Sequence, residues 1–284
     1  MQLSVVIISY NEEANLGRTL ASVAPLVRDG QGEIIVLDSG STDRTVEIAR
    51  QHGAKVFVEP WKGFAAQKNS ALEKASGDWI LSLDADEELE PELVEEIAEI
   101  QQQPGPEENP SQSSSGDWCL TMKHEAPEDQ PSAFWIPRKN FFLGRWMKHG
   151  GFWPDPKLRL FLRGAAKFEN RAVHEDAQTS APTGNIGYGS LIHHSYPRLT
   201  DYIEHMNRYS SLGAEMGGPR GFSLVNIVLR PLATFVYNYF FRLGFLDGRE
   251  GLLLHLYHAV YVSWKYAKAW ELKRGSQESG AGSR

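Results

Sequence analysis

The chain has 284 residues, of which 41% are hydrophobic and 23% are charged, an ordinary composition for a globular protein of one or two domains. These proportions exclude a collagen, a disulfide-rich scaffold and a wholly disordered chain. The single cysteine, Cys119, cannot form an internal disulfide, and the apolar run after Met1 has no basic leader and is too short for a signal peptide. We therefore expect a protein of a reducing, cytoplasmic compartment.

The net charge of −7 is divided unevenly along the chain. Residues 1–136 hold 9 Lys and Arg against 25 Asp and Glu, whereas residues 137–275 hold 19 against 10. An acidic first half beside a basic, aromatic-rich second half indicates two different roles. The alternative is chance variation between two solvated surfaces.

The first hundred residues alternate between short apolar runs and amphipathic segments. Strands are predicted at 3–9, 33–38, 54–59 and 78–86, and helices at 11–27, 45–52, 64–76 and 91–103. Continuous apolar runs of this length are typical of strands that are buried on both faces. The alternation predicts an α/β fold with a mostly parallel, Rossmann-like sheet flanked by helices.

This regularity ends at Pro104. Segments rich in Pro, Ser, Gly and acid predict mobile loops at about 104–116 and 124–132, with strands of a mixed sheet at 118–123 and 133–138. Helical patterns follow at 200–216, 222–246 and 250–272. We expect one domain over 1–198, a helical region over 199–273 and a disordered tail over 274–284.

Three polar clusters follow the predicted strands, namely SYNEE, DSGSTD and DADEE. Ligands of a doubly wound sheet bind at the carboxyl ends of its strands, so these clusters predict a binding site. Asp84 and Asp86 are two residues apart and point the same way in an extended segment. Such a carboxylate pair is costly without a cation, and its oxygens suit Mg²⁺ or Mn²⁺ bridging a diphosphate. The acids that follow, Glu87 to Glu92, are interpreted as structural because acids stabilise a helix N-terminus.

Several enzyme classes are disfavoured by missing motifs. The sequence has neither a P-loop nor a G-x-G-x-x-G dinucleotide loop after its first strand. It also has neither a G-x-S-x-G elbow nor closely spaced Cys and His ligands for zinc. We expect no nucleic-acid partner.

Four segments of the first half, SVVIISYNEE, IIVLDSGSTDRT, GFAAQKNSAL and GDWILSLDADEEL, resemble the nucleotide-sugar domain of family 2 glycosyltransferases. These are inverting enzymes with a GT-A fold. The later segments KHGGFWPDPKLRLF, VHE, LIHHSY and MNRYS resemble the subgroup of lipopolysaccharide-core β-1,4-glucosyltransferases. The resemblance implies a UDP-sugar donor, with UDP-glucose favoured, and a glycan or lipid-linked acceptor of the cell envelope.

The resemblance also implies roles for residues on the donor side. Residues of the SYNEE segment would lie beside the nucleotide: Ser9, Tyr10, Asn11 and Glu12. Asp38 would contact the uracil or the ribose, and Lys68 would lie near the donor. Asp84 and Asp86 would form the D-x-D pair, with Asp86 as the more direct metal ligand.

On the acceptor side, the resemblance identifies Gly150 and Gly151 with a glycine-rich loop that admits the acceptor to the donor sugar. Asp155 stands where the family has its general base, although the usual Glu-Asp pair is Pro-Asp here. His174 corresponds to a C-terminal metal ligand, and Glu175 is the rival base. Inversion needs one such base for the acceptor hydroxyl and a cation for the leaving diphosphate.

Two apolar, aromatic stretches near the C-terminus are flanked by Arg or Lys: PLATFVYNYFF and GLLLHLYHAVYVSW. Neither has the roughly 18–20 uncharged residues that a membrane-spanning helix needs. Their composition suits a peripheral position on the inner face of the inner membrane. Packing on the sheet or on a second subunit is the alternative.

The sequence therefore predicts a metal-dependent inverting glycosyltransferase. One alternative is a polyprenyl-phosphate sugar transferase, whose phosphate acceptor needs no strong base. A second is a non-catalytic protein that binds sugar nucleotides. A nucleotidyltransferase would typically have a basic, Gly-rich phosphate loop near the first strand, where this chain has the acidic SYNEE.

Overall fold

The computed structural model of the protein describes residues 1–102, 131–169, 176–218 and 220–281, apart from the side chains of Asp29 and of residues 278–281. The predicted loop 104–116, the strand predicted at 118–123 and most of the loop 124–132 lie outside these ranges. Unit 1 comprises Met1–Ile136, Lys157–Glu169 and Asp176–Leu191, and unit 2 comprises Pro137–Pro156, Asn170–Glu175 and Ile192–Arg284. The chain thus passes between two compact units several times, whereas the sequence places a single boundary at 198.

The strands of the described residues are numbered in chain order. They are β1 (Leu3–Ser9), β2 (Gly32–Asp38), β3 (Lys55–Val58), β4 (Trp79–Asp84), β5 (Glu87–Leu89), β6 (Ala133–Ile136), β7 (Arg138–Phe142), β8 (Arg145–Trp146), β9 (Lys157–Leu162), β10 (Lys167–Phe168), β11 (Ala177–Gln178), β12 (Thr183–Asn185) and β13 (Leu191–Tyr196). The α-helices are α1 (Leu16–Val23), α2 (Thr45–Gln51), α3 (Phe64–Leu72), α4 (Pro91–Gln102), α5 (Leu199–Met216), α6 (Arg230–Val236) and α7 (Gly248–Ala281).

Unit 1 is built on a seven-stranded sheet with the order β12-β6-β9-β4-β1-β2-β3. Parallel pairs join β1 to β2 and β4, β2 to β3, and β12 to β6, while β9 runs antiparallel to β4 and β6. The predicted mostly parallel α/β sheet of the GT-A type is confirmed. Because β2 and β4 flank β1 on opposite sides, the order of the strands reverses at β1, and such a switch point opens a crevice at the carboxyl ends of the strands.

The core of unit 1 covers both faces of this sheet. On one face Val5, Ile7 and Leu81 pack with apolar residues of α1 and α4, and on the other face Val6 and Ile80 pack with α3. Successive residues of a strand point to opposite faces, so a strand in this position must be apolar throughout. This requirement explains the unbroken apolar runs of β1, β2 and β4.

Unit 2 combines the strands β13, β7 and β8, in that order, with helices. Phe142, Met147, Tyr202 and Leu254 form its buried cluster. Lys268 of α7 donates to the main-chain oxygen and the side-chain oxygen of Asn207 at 2.7 Å each and so joins α7 to α5.

The apolar segment predicted as one helix at 222–246 is divided in the structure. A π-helical turn over Val225–Leu229 precedes α6, a second covers Tyr237–Phe241, and a 3₁₀ helix covers Gly244–Asp247. Pro231 has no N–H to donate to Ile227, and the Ile227 carbonyl instead accepts a hydrogen bond of 2.9 Å from Ser263 Oγ. The missing donor thus accounts for the irregular helix at this point.

Helix α7 continues to Ala281, so it includes most of the segment for which the sequence predicts a disordered tail. Extending an existing helix costs less than nucleating a new one, which allows polar residues to prolong it. Within the described part of the chain, no helix combines the length and the apolarity that crossing a membrane requires.

Candidate functional site

The carboxyl ends of three neighbouring strands bring the predicted donor-side residues to one edge of the sheet. Residue 8 of β1 is aligned with Asp84 of β4, and Ser9 is aligned with Asp38 of β2. The segments that leave these strands, SYNEE, SGSTD and ADEE, therefore start side by side at the switch point. This placement follows the sequence-based prediction.

Asp38 is fully buried and shapes the loop after β2. Its Oδ1 accepts hydrogen bonds from the N–H groups of Gly40 and Ser41 at 2.9 and 2.8 Å, and its Oδ2 accepts from the hydroxyls of Ser9 and Ser41. A carboxylate has about four acceptor positions, and these four donors fill them. The side chains of Asp38 and Ser9 thus organise the loop, and a direct contact of Asp38 with a nucleotide stays a prediction.

The loop after β1 is tied to the same segment. Asn11 has a positive φ of 54°, its N–H donates to Ser41 Oγ at 2.8 Å, and its Oδ1 accepts the N–H of Thr42 at 2.8 Å. The N–H of Glu12 donates to Thr45 Oγ1 at 2.7 Å. Tyr10, between these anchored positions and β1, is 57% exposed. A rigid loop with an exposed ring suits a surface on which a base or a sugar can stack.

Glu12 lies in a strongly acidic environment. Burial raises the pKa of its carboxyl above the usual range, and the charges of Asp86, Asp43 and Asp84 raise it further, against a hydrogen bond from Asn15 that lowers it. Four carboxylates from three strand ends therefore lie close enough at the switch point for three of them to act on Glu12. Such mutual repulsion is what a bound divalent cation would relieve.

Asp84 is held by two cations. Its Oδ1 is 2.6 Å from Lys68 Nζ, and its Oδ2 pairs with Arg159 Nη2. Arg159 extends from β9 and also donates to Glu87, whose side chain is completely buried, at 2.7 Å. Burial alone would lower the pKa of Arg159, but the charges of Asp84 and Glu87 outweigh it and raise that pKa.

The oxygen ligands of this edge fit Mg²⁺ or Mn²⁺, which prefer carboxylates. Both oxygens of Asp84 are engaged by cations, so a metal at Asp84 would share this carboxylate with Lys68 and Arg159. No group of three or more His, Cys, Asp or Glu side chains has the geometry of a metal site within the ranges that the structure covers. The metal-ligand roles of Asp84, Asp86 and His174 stay predictions, and His174 lies outside the described residues, as does the rival base Glu175.

In unit 2, Gly150 and Gly151 form a turn between β8 and β9. Both have positive φ, 67° and 89°. A Cβ at Gly150 would lie 2.0 Å from the buried ring of His255, and a Cβ at Gly151 would lie 2.0 Å from Arg242 Nη1. The positive φ favours glycine at both positions, and at Gly150 the buried ring of His255 also leaves no room for a side chain.

Asp155 follows this turn and is half-buried in a network of unit 2. Its Oδ2 accepts hydrogen bonds from Arg138 Nε at 3.0 Å, Arg138 Nη2 at 2.7 Å and Asn140 Nδ2 at 3.0 Å. The Asn140 side-chain oxygen is in turn 2.7 Å from His193 Nδ1. These partners fix the orientation of the carboxylate.

Sequence reasoning missed Arg159, Arg138 and Asn140 as site residues. For Arg159 a signal exists, because a charged residue in the otherwise apolar run of β9 must be buried beside a carboxylate. For Arg138 and Asn140 no signal in the sequence distinguishes them from solvated residues of a strand.

Comparison with known proteins gives a consistent picture. Residues 4–167 match the family described as "Glycosyl transferase family 2". The chain is 28% identical to the lipopolysaccharide core biosynthesis glycosyltransferase LpsC of Rhizobium meliloti (strain 1021), over 95% of this chain and 93% of that protein. It is 44% identical to RP128 of Rickettsia prowazekii (strain Madrid E), described as an uncharacterized glycosyltransferase, over 97% of this chain and 89% of that protein.

Among solved structures, one match is the glucosyl-3-phosphoglycerate synthase of Mycobacterium tuberculosis in complex with Mn²⁺, UDP and glucosyl-3-phosphoglycerate. The identity is 34%, over 34% of this chain and 37% of that chain, with a TM-score of 0.29. This score is too low to relate the two structures as a whole.

We predict that Arg159→Met destabilises the protein by about 3–5 kcal/mol, because it leaves the buried carboxylate of Glu87 without its cation. Urea unfolding measures the loss, and the double variant Arg159→Met/Glu87→Gln should regain part of it. Arg163→Met, an exposed arginine just after β9, is the control and should change the stability by less than about 0.5 kcal/mol. A loss below about 1 kcal/mol for Arg159→Met would contradict a structural role of this ion pair.

Proposed function

The chain belongs to glycosyl transferase family 2, and from this membership we propose a metal-dependent inverting enzyme that moves a sugar from a UDP-sugar to a glycan acceptor on a membrane lipid. The observation that carries the proposal is the convergence of Glu12, Asp84 and Asp86 at the switch point of the sheet. Glucose is the favoured donor sugar because of the resemblance to the lipopolysaccharide-core subgroup. The similarity of the chain, over 95% of its length, to a lipopolysaccharide core biosynthesis glycosyltransferase supports a cell-envelope acceptor.

The donor side of the mechanism rests on the edge of the sheet. Asp86 would hold Mg²⁺ or Mn²⁺, assisted by Asp84. A bound divalent cation acts as a Lewis acid and stabilises the negative charge of the leaving diphosphate. Lys68 and Arg159 pair with the two oxygens of Asp84 and so fix the position of this carboxylate without a metal. The exposed ring of Tyr10 is available to stack on the nucleoside.

The acceptor side of the mechanism rests on Asp155. Inversion is a single in-line displacement, and it needs one base that takes the proton of the acceptor hydroxyl. The hydrogen bonds from Arg138 and Asn140 hold the carboxylate in one orientation, which lowers the entropic cost of meeting that hydroxyl. We therefore assign the base to Asp155 and keep Glu175 as the rival.

A membrane partner is supported by an exposed surface of unit 2 that we call the C-terminal apolar surface. It consists of twelve side chains that are 43–75% exposed: Phe222, Leu224, Val225, Val228, Leu229, Leu232, Tyr237, Phe240, Phe241, Leu243, Phe245 and Leu246. Arg230 and Arg242 lie within the same segment. Apolar and aromatic side chains beside cations suit the interface of an anionic bilayer, and we propose a peripheral position on the inner membrane.

We predict that Asp86→Ala abolishes the Mn²⁺-dependent part of UDP binding while the protein stays folded. The physical reason is the loss of the carboxylate that holds the cation against the diphosphate. Calorimetric titration with UDP, with and without Mn²⁺, measures the effect. A separate screen of UDP-, GDP- and dTDP-sugars, in which binding is detected by thermal shift, identifies the donor.

Glu92→Ala, an exposed acid in the first turn of α4, is the matched control and should bind UDP as the wild type does. Wild-type affinity of Asp86→Ala in Mn²⁺ would rule out the metal role.

We predict that Asp155→Asn lowers turnover by about 10²–10⁴-fold with little change in UDP affinity, the usual effect of removing a general base. Asparagine keeps the size of the side chain and can still accept a hydrogen bond from Arg138. The substitution should therefore lower the rate of transfer without lowering the affinity for UDP. Steady-state transfer assays measure the effect.

Glu175→Gln is the matched comparison in those assays. If it stops transfer and Asp155→Asn does not, the base is Glu175. Full activity of both variants would favour a phosphate acceptor, as in a polyprenyl-phosphate sugar transferase. UDP binding without turnover or donor hydrolysis by the wild type would favour a non-catalytic binding protein.

We predict that the intact protein binds vesicles that contain phosphatidylglycerol, more weakly as salt increases, since salt screens charge attraction. Phe240→Ser/Phe241→Ser should weaken this binding by about 10-fold through lost apolar burial. Phe57→Ser/Val58→Ser, which removes exposed apolar side chains of β3 in unit 1, is the control. A dimer in solution without vesicle binding would assign the surface to a second copy of the chain.

A further inference from the structure

A histidine at the start of the glycine turn is oriented by a buried carboxylate. His149 Nδ1 lies 2.8 Å from Asp247 Oδ1, and the N–H of His149 donates to Asp247 Oδ2 at 2.9 Å. The side chain of Asp247 is only 3% exposed, whereas that of His149 is 31% exposed. Because a carboxylate only accepts, Nδ1 carries a proton, which leaves Nε2 as the ring nitrogen that is available to a ligand.

Arg242 lies against the other side of the same turn. Its carbonyl accepts the N–H of Gly150 at 2.8 Å, and its guanidinium lies close to Gly151, with Nη1 2.0 Å from the position that a Cβ would take there. Arg242 is exposed and has no acidic partner among the residues that the structure describes. Arg242 thus contacts this turn with both its main chain and its side chain.

The charge around the turn is positive. Lys148 precedes His149, is exposed and, like Arg242, forms no ion pair with any described acid. Lys139 and Lys148 lie 4.7 and 4.4 Å from the centre of the Trp146 ring. The acids nearby are already engaged: Asp155 with Arg138, Asp247 with His149, and Glu250 with Arg145 at 3.6 Å.

Aromatic rings complete this surface. Trp153, two residues after Gly151, meets Trp146 edge to face with ring centres 5.2 Å apart. The apolar C–H face of a sugar ring packs on indole, while cations bind anionic substituents. Indole rings with cations beside them therefore match a charged saccharide better than a neutral one.

We propose that His149 and Arg242, on either side of Gly150–Gly151, form a subsite for a phosphate or carboxylate group carried by the acceptor saccharide. Arg242 supplies a planar fork of donors to the anion, and Asp247 positions the His149 ring. This inference rests on the proposed function, because it assigns the ligand of the turn to the acceptor. It defines the acceptor class as an anionic glycan.

The test uses the full chain with saturating UDP and Mn²⁺, so that phosphate cannot enter the donor site. Glucose 6-phosphate is the probe, glucose is the uncharged comparison, and isothermal titration calorimetry measures the affinity of the protein for each of them. We expect glucose 6-phosphate to bind more tightly than glucose. Arg242→Gln should weaken its binding at least about 10-fold and His149→Gln about 5-fold, as expected for charged and neutral hydrogen bonds.

Arg249→Gln, an exposed arginine at the start of α7, is the matched control and should keep wild-type affinity. The subsite is refuted if the wild type does not bind glucose 6-phosphate, if Arg242→Gln binds it unchanged, or if Arg249→Gln weakens it equally. If Arg242→Gln loses only binding to phosphatidylglycerol vesicles, the anion belongs to a lipid and the subsite is likewise refuted.

UDP affinity, measured in the same samples, separates this inference from the proposed function. Lost probe binding with intact Mn²⁺-dependent UDP binding refutes the subsite alone. Absence of UDP binding by the wild type refutes the donor site, and the same titration without UDP then decides the subsite by the same criteria.

Discussion

The arrangement of the donor edge depends on one buried guanidinium. Arg159 enters from the antiparallel strand β9 and neutralises both Asp84, at the end of β4, and the fully buried Glu87. Without that cation, two acids beside an apolar core would repel each other and oppose burial. Because Arg159 neutralises them, β4 can end in carboxylates while the rest of the strand remains in the hydrophobic core. The acidic edge and the apolar sheet can therefore be adjacent in sequence.

Much of the fold of unit 1 can be predicted from the sequence, because the patterns that indicate its strands are local. A strand covered on both faces has to be apolar throughout, so β1, β2 and β4 are recognisable from their runs alone. The position of Asp84 and Asp86 at the edge follows from the same rule, since ligand sites occur where parallel strands end. Membership of the family adds the expected chemistry of that edge.

The remainder depends on contacts between residues far apart in sequence. The four hydrogen-bond donors of Asp38 come from its own loop and from Ser9, 29 residues away, and its contact with a nucleotide stays a prediction. The pairing of His149 with Asp247 joins positions 98 residues apart. Neither partner stands in a pattern that distinguishes it from a surface residue. The divided helix around Pro231 likewise needs Ser263 of α7, which no local pattern indicates.

The interleaving of the two units affects the order in which the protein becomes stable during synthesis. Strands β1 to β4 leave the ribosome well before β9, because residues 85–156 lie between, of which 137–156 belong to unit 2. Until residue 159 emerges, Asp84 and Glu87 have no guanidinium, and the edge of β4 that β9 covers is open to other strands. A nascent chain of about half the final length therefore exposes both an unpaired strand and an acidic cluster in which Asp84 has Lys68 but not Arg159 as a cation. Vectorial synthesis thus makes closure of the sheet a late step, although most of its parallel strands are made first.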